Sequence, residues 1–201
     1  MTSLLIAEDQ VMMREALATL LDLEDDLDVV AQVGRGDEVV AAVTEHRPDV
    51  ALLDIELPGL SGLDAAAVLR QAAPATVVVI VTTFGRPGYL RRALDAGARG
   101  FVVKDGPVEG LADAIRRVVA GEVVIDPALA ADALSAGPNP LTERERDVLS
   151  ESTDGATVAD IAGTLHLSEQ TVRNYLSAAI GKTGTRNRVE AASEARHRGW
   201  L

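Results

Sequence analysis

Cysteine is absent from the chain, which excludes a disulfide framework and any thiolate metal site and suits a reducing cytosol. Also missing is any apolar run of membrane-spanning length. The opening residues, MTSLLIAEDQ, carry no basic segment ahead of their apolar stretch and reach Glu8 and Asp9 directly, so a secretory leader is not expected. These absences predict a cytoplasmic protein without membrane insertion. No internal repeat or low-complexity tract interrupts it. Positive charge is scarce too: 19 Lys and Arg stand against 31 Asp and Glu, a net charge of −12. Taken as an average, that balance argues against nucleic acid, whose phosphates need cationic partners. The average conceals an asymmetry, because residues 1–140 carry 11 basic and 22 acidic side chains whereas residues 141–201 carry 8 and 9. The acid is concentrated in the first segment, leaving the second free to present a locally basic face. With 201 residues, 47% of them apolar, the chain can bury a sizeable core and fits two small domains.

Apolar runs at 4–7 (LLIA), 29–33 (VVAQV), 50–53 (VALL), 77–81 (VVVIV) and 101–103 (FVV) alternate with segments of helical spacing near 11–23, 37–45, 62–71, 88–96 and 108–120. Five strands separated by helices predict a doubly wound, flavodoxin-like α/β fold with a parallel five-stranded sheet. Each helix has an apolar stripe to pack on the sheet, such as Ala16, Leu17, Leu20 and Leu21 in the first. After Gly121 the periodicity changes, and residues 121–140 end in Gly-Pro-Asn-Pro, which reads as a linker. From Leu141 the pattern is wholly helical, and four helices make a small all-α domain over residues 141–201.

The stretch Val50 to Asp64, VALLDIELPGLSGLD, is an apolar run held between Pro48 and Pro58-Gly59. It predicts a buried strand with Asp54 at its carboxyl end, the rim where parallel sheets bind ligands. The first strand delivers Glu8 and Asp9 to the same rim. Three carboxylates in one crevice repel one another, and a hard divalent cation with oxygen ligands relieves the repulsion; Mg²⁺ is the natural candidate. The fourth strand ends in Thr82 and Thr83 and the fifth in Lys104, bringing a hydroxyl and an ammonium to the carboxylates. A carboxylate nucleophile beside a metal, a lysine and a hydroxyl suits phosphoryl capture, because charge on the phosphoryl oxygens is neutralised from several sides. Singly, each residue has an ordinary explanation as a turn acid, a surface lysine or a strand threonine; together, at four strand ends, they do not.

On these residues, positions 1–120 resemble the receiver domain of bacterial two-component response regulators. The resemblance implies Asp54 as phosphoacceptor, Glu8 and Asp9 as the acidic metal pair, the backbone carbonyl of Glu56 as a further Mg²⁺ ligand, Thr82 as the switch hydroxyl, Phe101 as the switch aromatic and Lys104 as the phosphate partner. Two positions depart from the family pattern. The residue after Lys104 is Asp105 rather than proline, and cis geometry is costly at a non-proline bond. Thr83 stands where a small Ala or Gly is usual, and its bulk is expected to restrict access to the phosphoryl group and slow hydrolysis.

The segment TVADIAGTLHLSEQTVRNYL has the layout of a helix-turn-helix. Its first helix carries Val158, Ile161, Ala162 and Leu165 on one face, His166-Leu167 form the turn, and Ser168 begins the second helix as N-cap. With Val172, Leu176 and Ala179 or Ile180 inward, residues Gln170, Thr171, Arg173, Asn174 and Ser177 point outward. Arg and Asn suit bidentate readout of guanine and adenine edges, while Thr, Tyr and Lys are typical phosphate contacts. A merely solvated helix face is the alternative. LTERERDVL followed by LSEQTVRNYLS resembles the LuxR-type four-helix DNA-binding domain, over residues 141–201. The resemblance implies base contacts from Arg173, Asn174 and Ser177 and phosphate contacts from Thr171, Tyr175, Lys182 and Arg188. Ala159 and Thr183 replace a lysine and a leucine frequent in that family.

Together the two resemblances identify the chain as a member of the NarL/FixJ response regulators, similar to the subgroup that controls fatty-acid desaturase genes. They imply a transcription factor that takes a phosphoryl group from a sensor histidine kinase on Asp54, then dimerises and binds double-stranded promoter DNA. The chain is not expected to be an enzyme beyond self-catalysed aspartyl phosphorylation and dephosphorylation. Two rivals remain at this stage. A Mg²⁺-dependent phosphatase with Asp54 as nucleophile would want an Asp where Glu56 stands. A receiver that dimerises without phosphorylation is the other.

Overall fold

The computed structural model describes residues 1–83, 87–104, 108–127, 129–130, 139–152 and 155–201. Two compact units emerge, one holding Met1–Gly85 and Tyr89–Ala131, the other built mainly on Asp132–Leu201.

In the first unit the strands are β1 (Thr2–Ala7), β2 (Leu27–Val33), β3 (Val50–Leu53), β4 (Val77–Thr82), β5 (Gly100–Val103) and β6 (Val124–Ile125). They form one all-parallel sheet in the order β2-β1-β3-β4-β5-β6. Each of the apolar runs lies in its own strand, because a parallel strand covered on both faces needs an unbroken rather than an alternating apolar pattern. The helices α1 (Val11–Leu21), α2 (Gly36–His46), α3 (Gly62–Ala72), α4 (Pro87–Asp95) and α5 (Val108–Val119) connect the strands. Ala18 and Leu21 of α1 join Leu111, Ala112, Ile115 and Val118 of α5 over the sheet residues Leu4, Ile6, Leu52, Val79 and Val81. Each buried Leu, Ile or Val side chain of this cluster contributes about 1.5–3 kcal/mol relative to exposure.

The sheet has six strands, not five. Residues 121–140 are expected as linker, yet Val124 and Ile125 pair with Gly100 and Phe101, through Val124 N–H to Arg99 C=O at 2.8 Å and Asp126 N–H to Phe101 C=O at 3.2 Å. Without β6, the edge of β5 would expose unpaired backbone groups. The two β-branched residues after the Gly121 turn supply the cover. Residues 128 and 131–138 of the expected linker, and the Lys104-Asp105 peptide bond, lie outside the described residues.

In the second unit, α6 (Glu143–Glu151), α7 (Val158–Leu165), α8 (Glu169–Thr183) and α9 (Arg188–His197) enclose Val148, Leu149, Ile161, Val172, Leu176, Ala179, Ala191, Ala195 and Trp200. Thr142 with Glu145, and Thr157 with Asp160, form reciprocal capping boxes at α6 and α7. His166 takes a left-handed conformation, φ 54°, to turn α7 into α8. Ser168 caps α8 by accepting from the Thr171 N–H at 3.1 Å. Among the described residues, no helix is long and apolar enough to cross a membrane.

Candidate functional site

The strand register builds the first site. Ala7 lies opposite Leu53, so the next residue on each strand, Glu8 and Asp54, emerges at the same level of the rim, fixed by the Asp54 N–H to Ala7 C=O bond of 2.9 Å. Thr82 ends β4 opposite Val103, and the Lys104 N–H donates to the Thr82 carbonyl at 2.8 Å. Glu8, Asp54 and Thr82 are buried, while Asp9 is exposed. One carboxylate oxygen each from Glu8, Asp9 and Asp54 lies within 4.8 Å of the others, a spacing that a single cation with oxygen ligands can bridge.

Lys104 is the counter-charge inside this crevice. Its Nζ donates to Glu8 Oε2 and lies 3.0 Å from Asp54 Oδ2. All three side chains are under a tenth exposed, so they are paired at short range and little screened. The other Asp54 oxygen, Oδ1, accepts from the Ile55 N–H at 2.7 Å, which fixes the carboxylate plane and turns Oδ2 toward the lysine. Burial pushes the Glu8 carboxyl above its ordinary range, and the hydrogen bond and charge of Lys104 offset only part of that.

Phe101 is fully buried on β5, Thr83 is exposed at the rim, and Glu56 sits two residues past Asp54 with an exposed side chain. Gly62 is obligatory beneath this loop, since a Cβ there would lie 1.9 Å from the Asp54 carbonyl oxygen; its own N–H donates to the Ile55 carbonyl at 3.0 Å. Sequence reasoning missed Arg14, which reaches back from α1 to donate to the Glu8 carbonyl at 2.5 Å. Its partner is a backbone carbonyl, and α1 carries Glu15 beside Arg14 among its apolar residues, so nothing in the sequence singled Arg14 out.

The second site is the exposed side of α8. Val172, Leu176 and Ala179 are buried, leaving Arg173, Asn174 and Ser177 exposed and Thr171 and Tyr175 half-buried. None of the long polar side chains at the start of this helix is left unsupported. Arg173 donates to Glu169 at 2.7 Å, Gln170 to the Asn174 side-chain oxygen at 3.1 Å, and the hydroxyls of Ser168 and Thr171 are 2.8 Å apart. Arg188 opens α9 and is half-buried. Lys182 is committed elsewhere: its ammonium donates to Glu145 at 2.7 Å and ties α8 to α6. Burial pushes the Glu145 carboxyl up, but Lys182 and the Thr142 N–H outweigh it and hold the group below its ordinary range.

Both halves of the chain match known families. Residues 4–116 match the response regulator receiver domain, and residues 139–195 match the luxR family of bacterial regulatory proteins. The chain is 46% identical to an uncharacterized transcriptional regulatory protein, YvfU, and 44% identical to the transcriptional regulatory protein DesR, both of Bacillus subtilis, over the full length of each pair. A crystal structure of a LuxR-family DNA-binding response regulator from Staphylococcus aureus is 39% identical, with a TM-score of 0.57, and covers 59% of this chain and 99% of its own.

Proposed function

The chain belongs to the response regulators of two-component systems, with a receiver and a LuxR-type DNA-binding domain, and from that premise we propose that Asp54 is its phosphoacceptor. The observation that carries the reading is the clustering of Glu8, Asp9 and Asp54 at one sheet edge with Lys104 inserted among them. Functionally, residues 1–120 are the receiver, with β6 completing its sheet, the rest of 121–140 the connecting segment and 141–201 the DNA-binding domain.

The carboxylates of Glu8, Asp9 and Asp54, with the carbonyl of Glu56, form an all-oxygen donor set that fits Mg²⁺. When bound, that ion neutralises charge on the transferring phosphoryl group. Asp54 Oδ2 attacks the phosphorus of a phosphohistidine on a sensor kinase; the O–P bond forms as the N–P bond breaks. Lys104 then exchanges its carboxylate partners for phosphoryl oxygens, Thr82 supplies a hydroxyl from the adjoining strand, and Phe101 follows it. The altered surface favours a homodimer, whose two domains bind adjacent half-sites of promoter DNA in the cytoplasm. Arg173, Asn174 and Ser177 face bases; Thr171, Tyr175 and Arg188 face phosphates, and Lys182 reaches a phosphate only by giving up Glu145. The protein performs no turnover chemistry apart from forming and losing its own aspartyl phosphate.

Intact mass and oligomeric state, measured with Mg²⁺ and acetyl phosphate beside an Asp54→Asn control, test this reading. A phosphoryl adduct and a shift to dimer in the native protein alone support it. An unchanged mass and oligomer would favour a receiver that works without phosphorylation.

A further inference from the structure

We propose that Glu169, which reads as a simple helix-terminal acid, is a specificity-determining residue that governs what Arg173 can bind. The inference rests on the assignment of α8 to DNA. Glu169 opens α8 and faces Arg173 one turn on, with the carboxylate 2.7 Å from Arg173 Nη2 and both side chains about half exposed. An exposed i,i+4 pair is weak enough for DNA to break. The important matter is what Arg173 receives in exchange.

A DNA phosphate replaces one anionic acceptor with another, and it leaves Glu169 unpaired against a polyanion. Such a contact therefore returns little to the complex. A guanine edge instead accepts two parallel hydrogen bonds from the guanidinium, which offsets the loss of the single carboxylate partner. Glu169 thus penalises contacts that any sequence could supply and spares those that a particular base step supplies. The charge balance of the unit makes the penalty count, since residues 141–201 hold 8 basic against 9 acidic side chains and binding there is not dominated by unselective attraction. Glu169 acts through Arg173, and is a positioning residue in that sense.

The full-length protein, phosphorylated with acetyl phosphate and Mg²⁺, is presented with a pool of duplexes carrying a random central segment at fixed salt. Wild type, Glu169→Gln, Arg173→Ala and the double variant are compared for affinity to the unselected pool and for the sequences each enriches. Glu169→Gln is expected to bind the unselected pool about threefold or more tighter and to enrich a motif with weaker preference at one base step. In the Arg173→Ala background the same substitution should leave the enriched motif unchanged. A purely structural role at the helix terminus would alter stability and not the motif. The proposal is overturned if Glu169→Gln enriches the wild-type motif with undiminished strength, or changes it equally without Arg173. If wild type enriches no motif, the assignment of α8 to sequence reading fails first, and the inference with it.

Discussion

Lys104 shows how much one side chain can hold in this receiver. It lies against two buried carboxylates, Glu8 and Asp54, so removing it leaves two like charges without a counter-ion. Breaking a buried pair from one side typically costs about 3–5 kcal/mol. Lys104→Met should therefore reduce amide hydrogen-exchange protection in β1 and β3 by several hundredfold in metal-free buffer, and added Mg²⁺ should restore much of it. Protection unchanged by the substitution would mean that the carboxylates are neutralised by protons instead. Thr83 is the second residue-scale prediction. It is exposed at the rim beside Thr82, where its side chain can obstruct an approaching water, so Thr83→Ala should shorten the life of the aspartyl phosphate, followed by loss of the mass adduct. An equal or longer life would remove steric access as the cause. The cluster around Asp54 was readable from the chain because its members stand at the ends of four of the five apolar runs. Arg14 was not, because its partner is a backbone carbonyl, which leaves no mark on the pattern of side chains.

Elements differ in how far local sequence explains them. β3 follows directly from VALL between Pro48 and Pro58, and α8 from Ser168 and the Val172, Leu176, Ala179 spacing. β6 does not, since two residues carry no period and their strand character comes from the open edge of β5. Val124→Pro tests that account by removing the N–H that bonds to the Arg99 carbonyl. It should free the β5 edge and raise the tendency to aggregate on warming, as read by light scattering, whereas a substitution to threonine should not. The bond between α6 and α8 was likewise invisible in sequence, because Glu145 and Lys182 are 37 positions apart and Lys182 already had a local reading as a phosphate contact. Its pH dependence has a definite sign. The Glu145 carboxyl is held below its ordinary range in the folded state, so its contribution is complete above the ordinary Glu value of about 4.3 and is lost as pH falls through the lower, folded value. The single tryptophan, Trp200, is buried in this same unit, and its fluorescence in urea should show a midpoint that falls in acid. Lys182→Met should lower the midpoint at neutral pH by the equivalent of about 1–3 kcal/mol and flatten that acid dependence.

Across the whole molecule, charge is unevenly divided: residues 1–140 carry 11 basic against 22 acidic side chains, whereas residues 141–201 are almost neutral. Residues 141–201 carry 8 basic side chains, and several of these are already paired: Arg173 with Glu169, Lys182 with Glu145, Arg186 with Glu190 and Arg198 with Glu194. Each phosphate neutralised by a cation lowers log Kobs against log salt by about 0.9 for duplex DNA. With Arg188 as the principal phosphate cation of each domain, and Arg173 turned to bases, the slope for a dimer on its site should be shallow, about −2 to −4. Two domains are then needed to reach useful affinity, which makes dimerisation, and hence the state of Asp54, the variable that controls occupancy. Fluorescence anisotropy of a labelled duplex titrated with salt measures the slope directly, with Arg188→Ala expected to make it shallower by about 2 in the dimer, one charge from each copy. A native slope steeper than about −6 would mean that the paired arginines, Arg186 and Arg198 among them, exchange their carboxylates for phosphates on binding, and that affinity is supplied by a wider surface than α8 and the start of α9.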